Sequence, residues 1–249
     1  MRSYSVFAGF YDVLTDNVAY SVRAEYLYKL FSRFGVRDGL LLDLACGTGS
    51  LSVELARRGF EVIGVDNSPE MLAVAAEKAE EQEQDILFLC QNMQQLDLYG
   101  TIDAAVCTLD SLNHITRPRE VQAVLQRVSL FMNPGGIFIF DVNTPYKHKE
   151  ILGNQTFVYD LDDVFCVWQN EYTSQTQTVS ISLDFFIHRK DNTYVREQEC
   201  FTERAYSREE WKQWTQAAGF ELLGEYAELT ESAPEENTQR IIYVVRKAG

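Results

Sequence analysis

Basic residues are scarce in this chain relative to acidic ones. Its 249 residues include 22 Lys and Arg against 37 Asp and Glu, which gives a formal net charge of −15. Proteins that bind nucleic acid neutralise phosphates with clustered basic side chains, and no such cluster is visible in the sequence. The charge balance therefore argues against a nucleic-acid substrate or partner.

Long apolar runs are also missing. No run approaches membrane-spanning length, and the first residues, MRSYSVFAGFYDVL, lack the apolar core of a signal peptide. The five cysteines are odd in number and show no CxxC spacing, which predicts free thiols in a reducing compartment. No His, Asp and Glu cluster has metal-ligand spacing, so no metal is expected. These absences predict a cytoplasmic protein that binds no membrane.

The most informative stretch runs from Leu40 to Asp66, LLLDLACGTGSLSVELARRGFEVIGVD. It predicts a buried strand, a glycine loop, a helix and a second strand that ends on an acid. Gly47 and Gly49 allow a sharp turn and a close approach of backbone to ligand. Asp66, followed by Asn67, comes roughly 20 residues after the loop, a spacing that suits the hydroxyls of a ribose. The crevice at this end of the strands is therefore expected to hold a nucleoside.

The spacing of the loop separates two kinds of nucleoside site. A dinucleotide site needs Gly-x-Gly-x-x-Gly, and the third glycine position is Ser52 here. Asp43 would also repel a pyrophosphate, whereas it would attract an amino group or a sulfonium. A nucleotide-dependent oxidoreductase or epimerase is therefore the weaker alternative.

This block resembles motif I of the class I S-adenosylmethionine (SAM)-dependent methyltransferases. Asp43, Ala45, Gly47 and Gly49 match the positions of that motif, with Ala45 in place of its first glycine. The resemblance implies SAM as cofactor. The third predicted strand ends at Asn92 and Met93, where the family usually has an acid that binds the adenine amino group. Asn92 can accept that bond through its carbonyl, and Met93 can offer its backbone N–H, while a simple loop cap is the alternative.

The loop after the fourth predicted strand, CTLDSLNHI, resembles that of glycine-type N-methyltransferases. The resemblance implies that Thr108 and Leu109 contact the methionine part of SAM and that Asp110 faces the substrate. His114 is the candidate general base, because imidazole titrates nearest neutrality. A structural histidine at a helix start is the alternative. The loop of amide and nucleic-acid amino methyltransferases, aspartate-proline-proline-tyrosine, is absent.

Aromatic residues are frequent before the first predicted strand. Among them, Tyr11 and Tyr20 belong to an FYD…Y arrangement that resembles small-molecule N-methyltransferases acting on glycine or sarcosine. In that resemblance such residues close over the cofactor, and an aromatic face attracts a sulfonium. The alternative is that these rings cover the edge of the core.

Strand and helix patterns alternate up to Asp141, which predicts an α/β fold with a doubly wound, mostly parallel sheet. Two closing strands near the carboxyl end resemble the sixth and seventh strands of the methyltransferase fold, the seventh inserted antiparallel. From about Thr156 to Tyr206 the pattern changes to period two with many aromatic residues. We therefore expect a seven-stranded Rossmann-like sheet, residues 1–150 and 207–249, with an inserted antiparallel β lid, residues 151–206. A dimerisation surface is the alternative for the insert.

The predicted function is transfer of a methyl group from SAM to a nitrogen or oxygen nucleophile of a small molecule. A SAM-binding protein whose insert serves a protein partner is the non-enzymatic alternative. The chain is expected to be a monomer or a homodimer.

Overall fold

The computed structural model describes residues 18–161 and 163–249, which form two β-sheets and the helices packed on them. The strands of the larger sheet are β1 (Gly39–Leu44), β2 (Phe60–Asp66), β3 (Ile86–Cys90), β4 (Ile102–Cys107), β5 (Met132–Asn143), β10 (Phe220–Ala227) and β11 (Arg240–Lys247). Those of the smaller sheet are β6 (Thr156–Asp160), β7 (Val164–Thr173), β8 (Thr178–His188) and β9 (Tyr194–Arg204).

The α-helices of the described chain are α1 (Tyr20–Arg33), α2 (Ser50–Ala56), α3 (Pro69–Glu81), α4 (Pro118–Phe131) and α5 (Arg208–Ala217). Their starts follow local capping chemistry. The Ser68 hydroxyl accepts a hydrogen bond from the Met71 N–H at the start of α3, where Pro69 is the first helical residue. Ser207 and Glu210 form a reciprocal capping box at the start of α5. Both caps agree with the sequence pattern.

The larger sheet has the order β10-β11-β5-β4-β1-β2-β3. β1 pairs in parallel with both β2 and β4, so the winding reverses direction at β1. β11 is antiparallel to both of its neighbours, β5 and β10. The expected doubly wound sheet with an antiparallel seventh strand is confirmed. Ligands of such sheets bind at the carboxyl ends of the strands beside the reversal, which here are the ends of β1 and β4.

The core lies on both faces of this sheet, which explains why its strands are apolar at consecutive positions. Leu41 and Leu42 belong to two different apolar clusters, one on each face, and neither is exposed to solvent. α1 packs in one cluster through Leu27 and Phe31, while α4 and α5 pack in the other. The helices thus hold the strand ends in place from both sides.

The smaller sheet, β6 to β9, is called the lid sheet below. It is antiparallel throughout, with the order β6-β7-β8-β9, and confirms the expected insert of four strands. Val179, Ile181, Leu183 and Phe185 alternate with polar residues along β8 and form a separate apolar cluster. A turn that contains Asp191–Asn192 joins β8 to β9, and Asn192 adopts a positive φ of 65°.

Three local features differ from the sequence prediction. The sequence Asn133–Pro134–Gly135–Gly136 favours a sharp turn before the strand, whereas in the structure these residues form an irregular start of β5, because Met132 pairs with Ile102 before the register shifts. β3 and β4 are joined by a short 3-10 turn at Met93–Gln95 rather than by an α-helix, so the strand–helix alternation is interrupted. A π-helical segment, Lys147–Leu152, follows β5 and was not predicted.

All five cysteines are free thiols, as the spacing predicted. Within the described ranges, none of the helices combines the length and the apolar character needed to cross a bilayer.

Candidate active site

The loop after β1 turns through three residues with positive φ: Ala45 (62°), Gly47 (54°) and Gly49 (73°). A Cβ at Gly49 would lie 2.8 Å from the Cβ of Ala75, so only glycine lets the loop sit against α3. A Cβ at Gly47 would meet nothing within 4 Å. The space beside the Gly47 backbone is therefore open, and the close approach of a ligand there stays a prediction.

Asp66 at the end of β2 organises the same loop. Its two carboxylate oxygens accept hydrogen bonds of 2.9 Å from the backbone N–H groups of Gly47 and Ser68. Burial raises the pKa of Asp66, whereas the N–H groups around it and the nearby His114 act in the opposite direction.

Asp43 lies beneath the loop and is almost inaccessible, with 2% of its surface exposed. Its Oδ2 accepts a hydrogen bond of 2.6 Å from the buried Ser52 hydroxyl. Burial raises the pKa of Asp43 to about 7; the Ser52 bond opposes this shift and the charge of Asp66 adds to it. An ammonium group placed beside this carboxylate would favour its ionised form.

The loop after β4 has an unusual backbone. Leu109 (φ 57°) and Asp110 (φ 56°) both adopt the left-handed conformation. Their N–H groups donate to Oδ2 and Oδ1 of Asp141, each at 2.9 Å. Asp141 is 1% exposed and also binds Arg240 Nη1 at 2.6 Å and Arg23 Nη1 at 3.2 Å. The buried Asp141 carboxylate thus links this loop to Arg23, near the start of the described residues, and to Arg240, near their end.

Asp110 is part of the same charge network. Its Oδ1 lies 2.6 Å from Arg240 Nη2, and its side chain is 20% exposed. Burial would raise the pKa of Asp110, but Arg240, Lys147 and His114 together lower it. For Lys147, burial and the charge of Arg240 lower the pKa. The Asp110 carboxylate is therefore ionised at neutral pH, and its side chain retains some access to solvent.

His114 ends the 3-10 helix Ser111–His114. Its Nε2 is 3.8 Å from Oε1 of Glu203, a residue of β9 whose side chain is only 4% exposed. Oε2 of Glu203 lies 3.2 Å from Nε2 of His148, which is fully buried. The His114 ring lies against Phe201 with 5.0 Å between ring centroids, and the His114 side chain is 28% exposed. An accessible imidazole is thus backed by a buried carboxylate.

Comparison with known proteins decides the class of this site. A methyltransferase domain model matches residues 41–136. A Geobacillus sp. (strain WCH70) protein assigned as a methyltransferase is 34% identical over 247 residues, which cover 98% of this chain and 100% of that protein. The solved structure of a SAM-dependent methyltransferase from Clostridium acetobutylicum ATCC 824 has 33% identity and a TM-score of 0.89, covering 99% of each chain.

The chain belongs to the class I SAM-dependent methyltransferases. SAM is the cofactor of this methyltransferase, and the crevice suits it: open space at Gly47, an acid at the end of β2 and a buried acid under the loop. A glycine/sarcosine N-methyltransferase of Parasynechococcus marenigrum (strain WH8102) is 31% identical over 134 residues, 53% of this chain and 47% of that protein. The similarity to this N-methyltransferase is therefore confined to about half of each chain.

The fold of the methyltransferase brings most of the sequence-predicted residues to one edge of the sheet. The glycine loop and Asp66 with the exposed Asn67 lie at the ends of β1 and β2, and the segment from Thr108 to His114 follows β4. Thr108 is buried. Tyr20 is the first residue of α1 and packs against the apolar cluster on that face. Tyr11 lies outside the described residues.

Asn92 already has a local role in the structure. Its Oδ1 accepts the Gln94 N–H at 2.9 Å and caps the short helix that begins with Met93. This is the loop cap that the sequence left open as an alternative. A carbonyl oxygen has two lone pairs, so the capping bond and a bond to adenine are compatible. The adenine role of Asn92 and Met93 stays a prediction.

The sequence did not indicate which other residues contact the predicted site residues. Ser52 was noted only for the absence of glycine, whereas it binds Asp43. Asp141, Glu203 and Arg240 were not assigned to the site, because each is more than 30 positions from the residue it contacts. The one available signal was an acid at the end of an apolar strand, which Asp141 shares with Asp66.

The fold also assembles a group with metal-ligating atoms that no sequence spacing indicated. Atoms of Asp110, His114 and Glu203 lie within 4.8 Å of one another. Asp110 is already paired with Arg240, and Lys147 lies close enough to affect its pKa. Two cations beside the same carboxylate disfavour a metal ion. We interpret the group as a charge network.

Proposed function

We propose that this methyltransferase transfers the methyl group of SAM to a nitrogen or oxygen nucleophile of a small molecule bound between the loop after β4 and the lid sheet. The observation that carries the proposal is the pair formed by His114 and Glu203. His114 lies on the 3-10 helix that follows β4 of the larger sheet, Glu203 lies on β9 of the lid sheet, and the accessible imidazole is where these two elements meet. An acceptor held there would be beside the loops that follow β1 and β4.

The cofactor side of the site is assigned as follows. Asp66 and Asn67 hold the ribose, while Asn92 and Met93 hold the adenine. Asp43 attracts the methionine ammonium, and Ala45, Gly47 and Gly49 leave room for the methionine part. Thr108 and Leu109 line the same part from the β4 side, and Tyr11 and Tyr20 cover the sulfonium. The open space at Gly47 and the position of the buried Asp43 carboxylate beneath the loop support this arrangement.

Bound SAM supplies an electrophilic methyl carbon whose bond to sulfur breaks as the acceptor lone pair attacks, leaving the electron pair on sulfur. The protein holds the acceptor in line and excludes water, which supplies much of the rate. His114 takes the proton that the acceptor loses. Glu203, backed by His148, stabilises the imidazolium that results. Asp110 orients the acceptor through its accessible oxygen.

An amine is the favoured acceptor. His114, which is backed by the buried Glu203 carboxylate, can take a proton from an ammonium group and so generate the neutral amine that attacks. The partial match to a glycine/sarcosine N-methyltransferase supports the same choice. The matches described above favour neither an oxidoreductase or epimerase nor a binding protein that acts through a partner.

The insert, residues 151–206, is proposed to act as the lid and acceptor-binding subdomain, with 1–150 and 207–249 as the SAM-binding domain. The separate apolar cluster of the lid sheet supports this division. A cytoplasmic location is proposed from the five free thiols, which suit a reducing compartment. A monomer or homodimer without nucleic-acid or membrane partners remains the working expectation.

The test is a transfer assay with SAM that carries a deuterated methyl group. The enzyme is incubated with panels of small amines, amino acids, amino sugars, phenols and carboxylic acids, and products are identified by mass spectrometry. We expect label on an amine together with an equal amount of S-adenosylhomocysteine. Label on an oxygen acceptor alone would overturn the preference for amines. Transfer only to a protein or nucleic acid would overturn the small-molecule proposal.

A further inference from the structure

The loop after β4 is held in a strained shape by a residue outside it. Among the described residues, Leu109 and Asp110 are the only two consecutive non-glycine residues with positive φ. An L-residue in this conformation brings its Cβ close to a carbonyl oxygen, and glycine is the usual solution. Neither position is glycine, so the turn persists only because its surroundings impose it.

Asp141 imposes it. The carboxylate accepts the N–H of Leu109 on one oxygen and the N–H of Asp110 on the other, each at 2.9 Å. These two hydrogen bonds fix the orientation of both peptide groups. Burying a carboxylate at 1% exposure is costly, and two buried guanidinium groups, from Arg240 and Arg23, compensate for it. Asp141 alone thus contacts the turn, while the two arginines offset the cost of burying its charge.

The sheet register places this turn against the glycine loop. Asp43 of β1 pairs with Val106 of β4, so the residues that follow β4 continue alongside those that follow β1. β1 ends at Leu44 and β4 at Cys107, so the turn and the glycine loop, which contains Ala45 with its positive φ, begin at adjacent strand ends. The turn and the glycine loop are therefore the two sides of the same part of the crevice.

We propose that Asp141 is a positioning residue for the cofactor: it holds Leu109 and Asp110 in the left-handed turn that shapes the methionine side of the SAM site. The inference rests on the proposed cofactor site. Asp141 itself acts through the turn. The side chain of Leu109 then faces the cofactor in one fixed orientation, and Asp110 meets Arg240.

The test compares variants of Asp141 with a matched variant of Arg23, which contacts the same carboxylate but not the turn. Asp141→Asn replaces one acceptor oxygen with a donor. Asp141→Glu keeps the negative charge that pairs with both arginines but displaces the carboxylate from the turn. This variant replaces Asp141→Asn in the test if the asparagine variant does not fold. Arg23→Met removes a partner of Asp141 and leaves its contacts with Leu109 and Asp110.

Affinity for S-adenosylhomocysteine is measured by calorimetric titration, and stability by thermal unfolding. We expect the Asp141 variants to bind about tenfold more weakly or worse, since small misplacements of a site are amplified in function. Arg23→Met is expected to lose stability but to bind within about twofold of the native protein. Asp141 variants that fold and bind as tightly as the native protein would overturn the inference. A native protein that fails to bind S-adenosylhomocysteine would instead overturn the proposed cofactor site.

A double-mutant cycle separates positioning from general destabilisation. Glycine at position 109 adopts the left-handed conformation without strain. Leu109→Gly is therefore expected to reduce affinity in the native background and to restore part of the affinity in the Asp141→Asn or Asp141→Glu background. Strictly additive losses in the cycle would contradict a role of Asp141 through this turn.

Discussion

Ser52 and Asp43 form a hydrogen bond of 2.6 Å in which the buried hydroxyl donates to the buried carboxylate beneath the glycine loop. The residue that breaks the dinucleotide pattern in the sequence thus stabilises the acid of the methyltransferase motif. The bond limits, without cancelling, the effect of burial on the carboxyl group, whose pKa rises to about 7. A pH dependence follows from this shift.

The first prediction concerns stability against pH without ligand. The pKa of Asp43 is raised from about 3.9 in the unfolded chain to about 7 in the folded protein. Its contribution to stability is therefore fully present below pH ~4 and is lost as pH rises through about 7. We expect native protein to lose stability relative to Asp43→Asn between roughly pH 4 and pH 7 and the difference to level off above that range. The measurement is thermal unfolding of both proteins across this range, and a constant difference would contradict the buried carboxyl.

The second prediction concerns ligand binding by the same group. The ammonium of S-adenosylhomocysteine favours ionised Asp43, so affinity should rise with pH up to about 7 and then level off. Calorimetric titrations at several pH values measure this trend. In Asp43→Asn the trend should disappear and the affinity should be lower throughout. An unchanged pH trend in the variant would assign the titration to another group.

The third prediction concerns Asp66. Asp66→Ala removes the carboxylate proposed to bind ribose and also frees the N–H groups of Gly47 and Ser68. We expect SAM affinity to fall by about 1.5–3 kcal/mol, the scale of a charged hydrogen bond, with the fold intact. Glu61→Ala, an exposed acid on the same strand, is the matched control and should bind normally. Equal affinities for the two variants would exclude the ribose role.

The fourth prediction compares two glycines in different parts of the fold. Gly47 and Gly35 both have positive φ, and a Cβ at either would meet nothing within 4 Å. Each substitution by alanine should cost about 1–2 kcal/mol of unfolding free energy through backbone strain. Only Gly47→Ala should also weaken SAM binding, because its new methyl group points into the space proposed for the cofactor. Chemical denaturation and calorimetry measure the two effects, and normal SAM binding by Gly47→Ala would refute this placement.

The fifth prediction concerns His114. If it accepts the proton of the acceptor, His114→Gln should reduce kcat by about 10²-fold or more while leaving SAM affinity unchanged. His188→Gln is the matched control, since His188 lies at the end of β8 in the insert and bonds Asn192 at the turn between β8 and β9 rather than Glu203. The rate is measured on the acceptor found in the transfer assay. A kcat of His114→Gln equal to that of the native protein would show that His114 has a structural role and not a catalytic one.

Much of the fold was predictable because its signals are local. The consecutive apolar residues of β1, the caps at Ser68 and Ser207 and the period-two pattern of β8 each involve neighbours along the chain. The start of β5 was less predictable, because the irregular pairing of Met132 with Ile102 depends on a partner strand.

The candidate site, like the fold, was predictable only where local sequence signals determine it. The glycine loop, Asp66 and the segment after β4 follow strand ends, so the sheet alone brings them together. Their partners depend on contacts across long stretches of sequence: Asp141 with the turn at Leu109, and Glu203 with His114. The pairing of Asp110 with Arg240 is of the same kind, and neither composition nor periodicity carries a signal for it.

The central claim is that the cofactor lies on the larger sheet while the lid sheet serves the acceptor. The most direct measurement replaces residues 156–202 by a short glycine-serine linker, which must span about 14 Å between the two edges of a four-stranded sheet. The shortened protein is titrated with SAM, assayed for methyl transfer and compared with the native protein in sedimentation. We predict SAM binding close to native, because the proposed cofactor residues all precede this segment, together with loss of transfer. Loss of SAM binding, or persistent transfer by a protein that has only changed from dimer to monomer, would contradict the account.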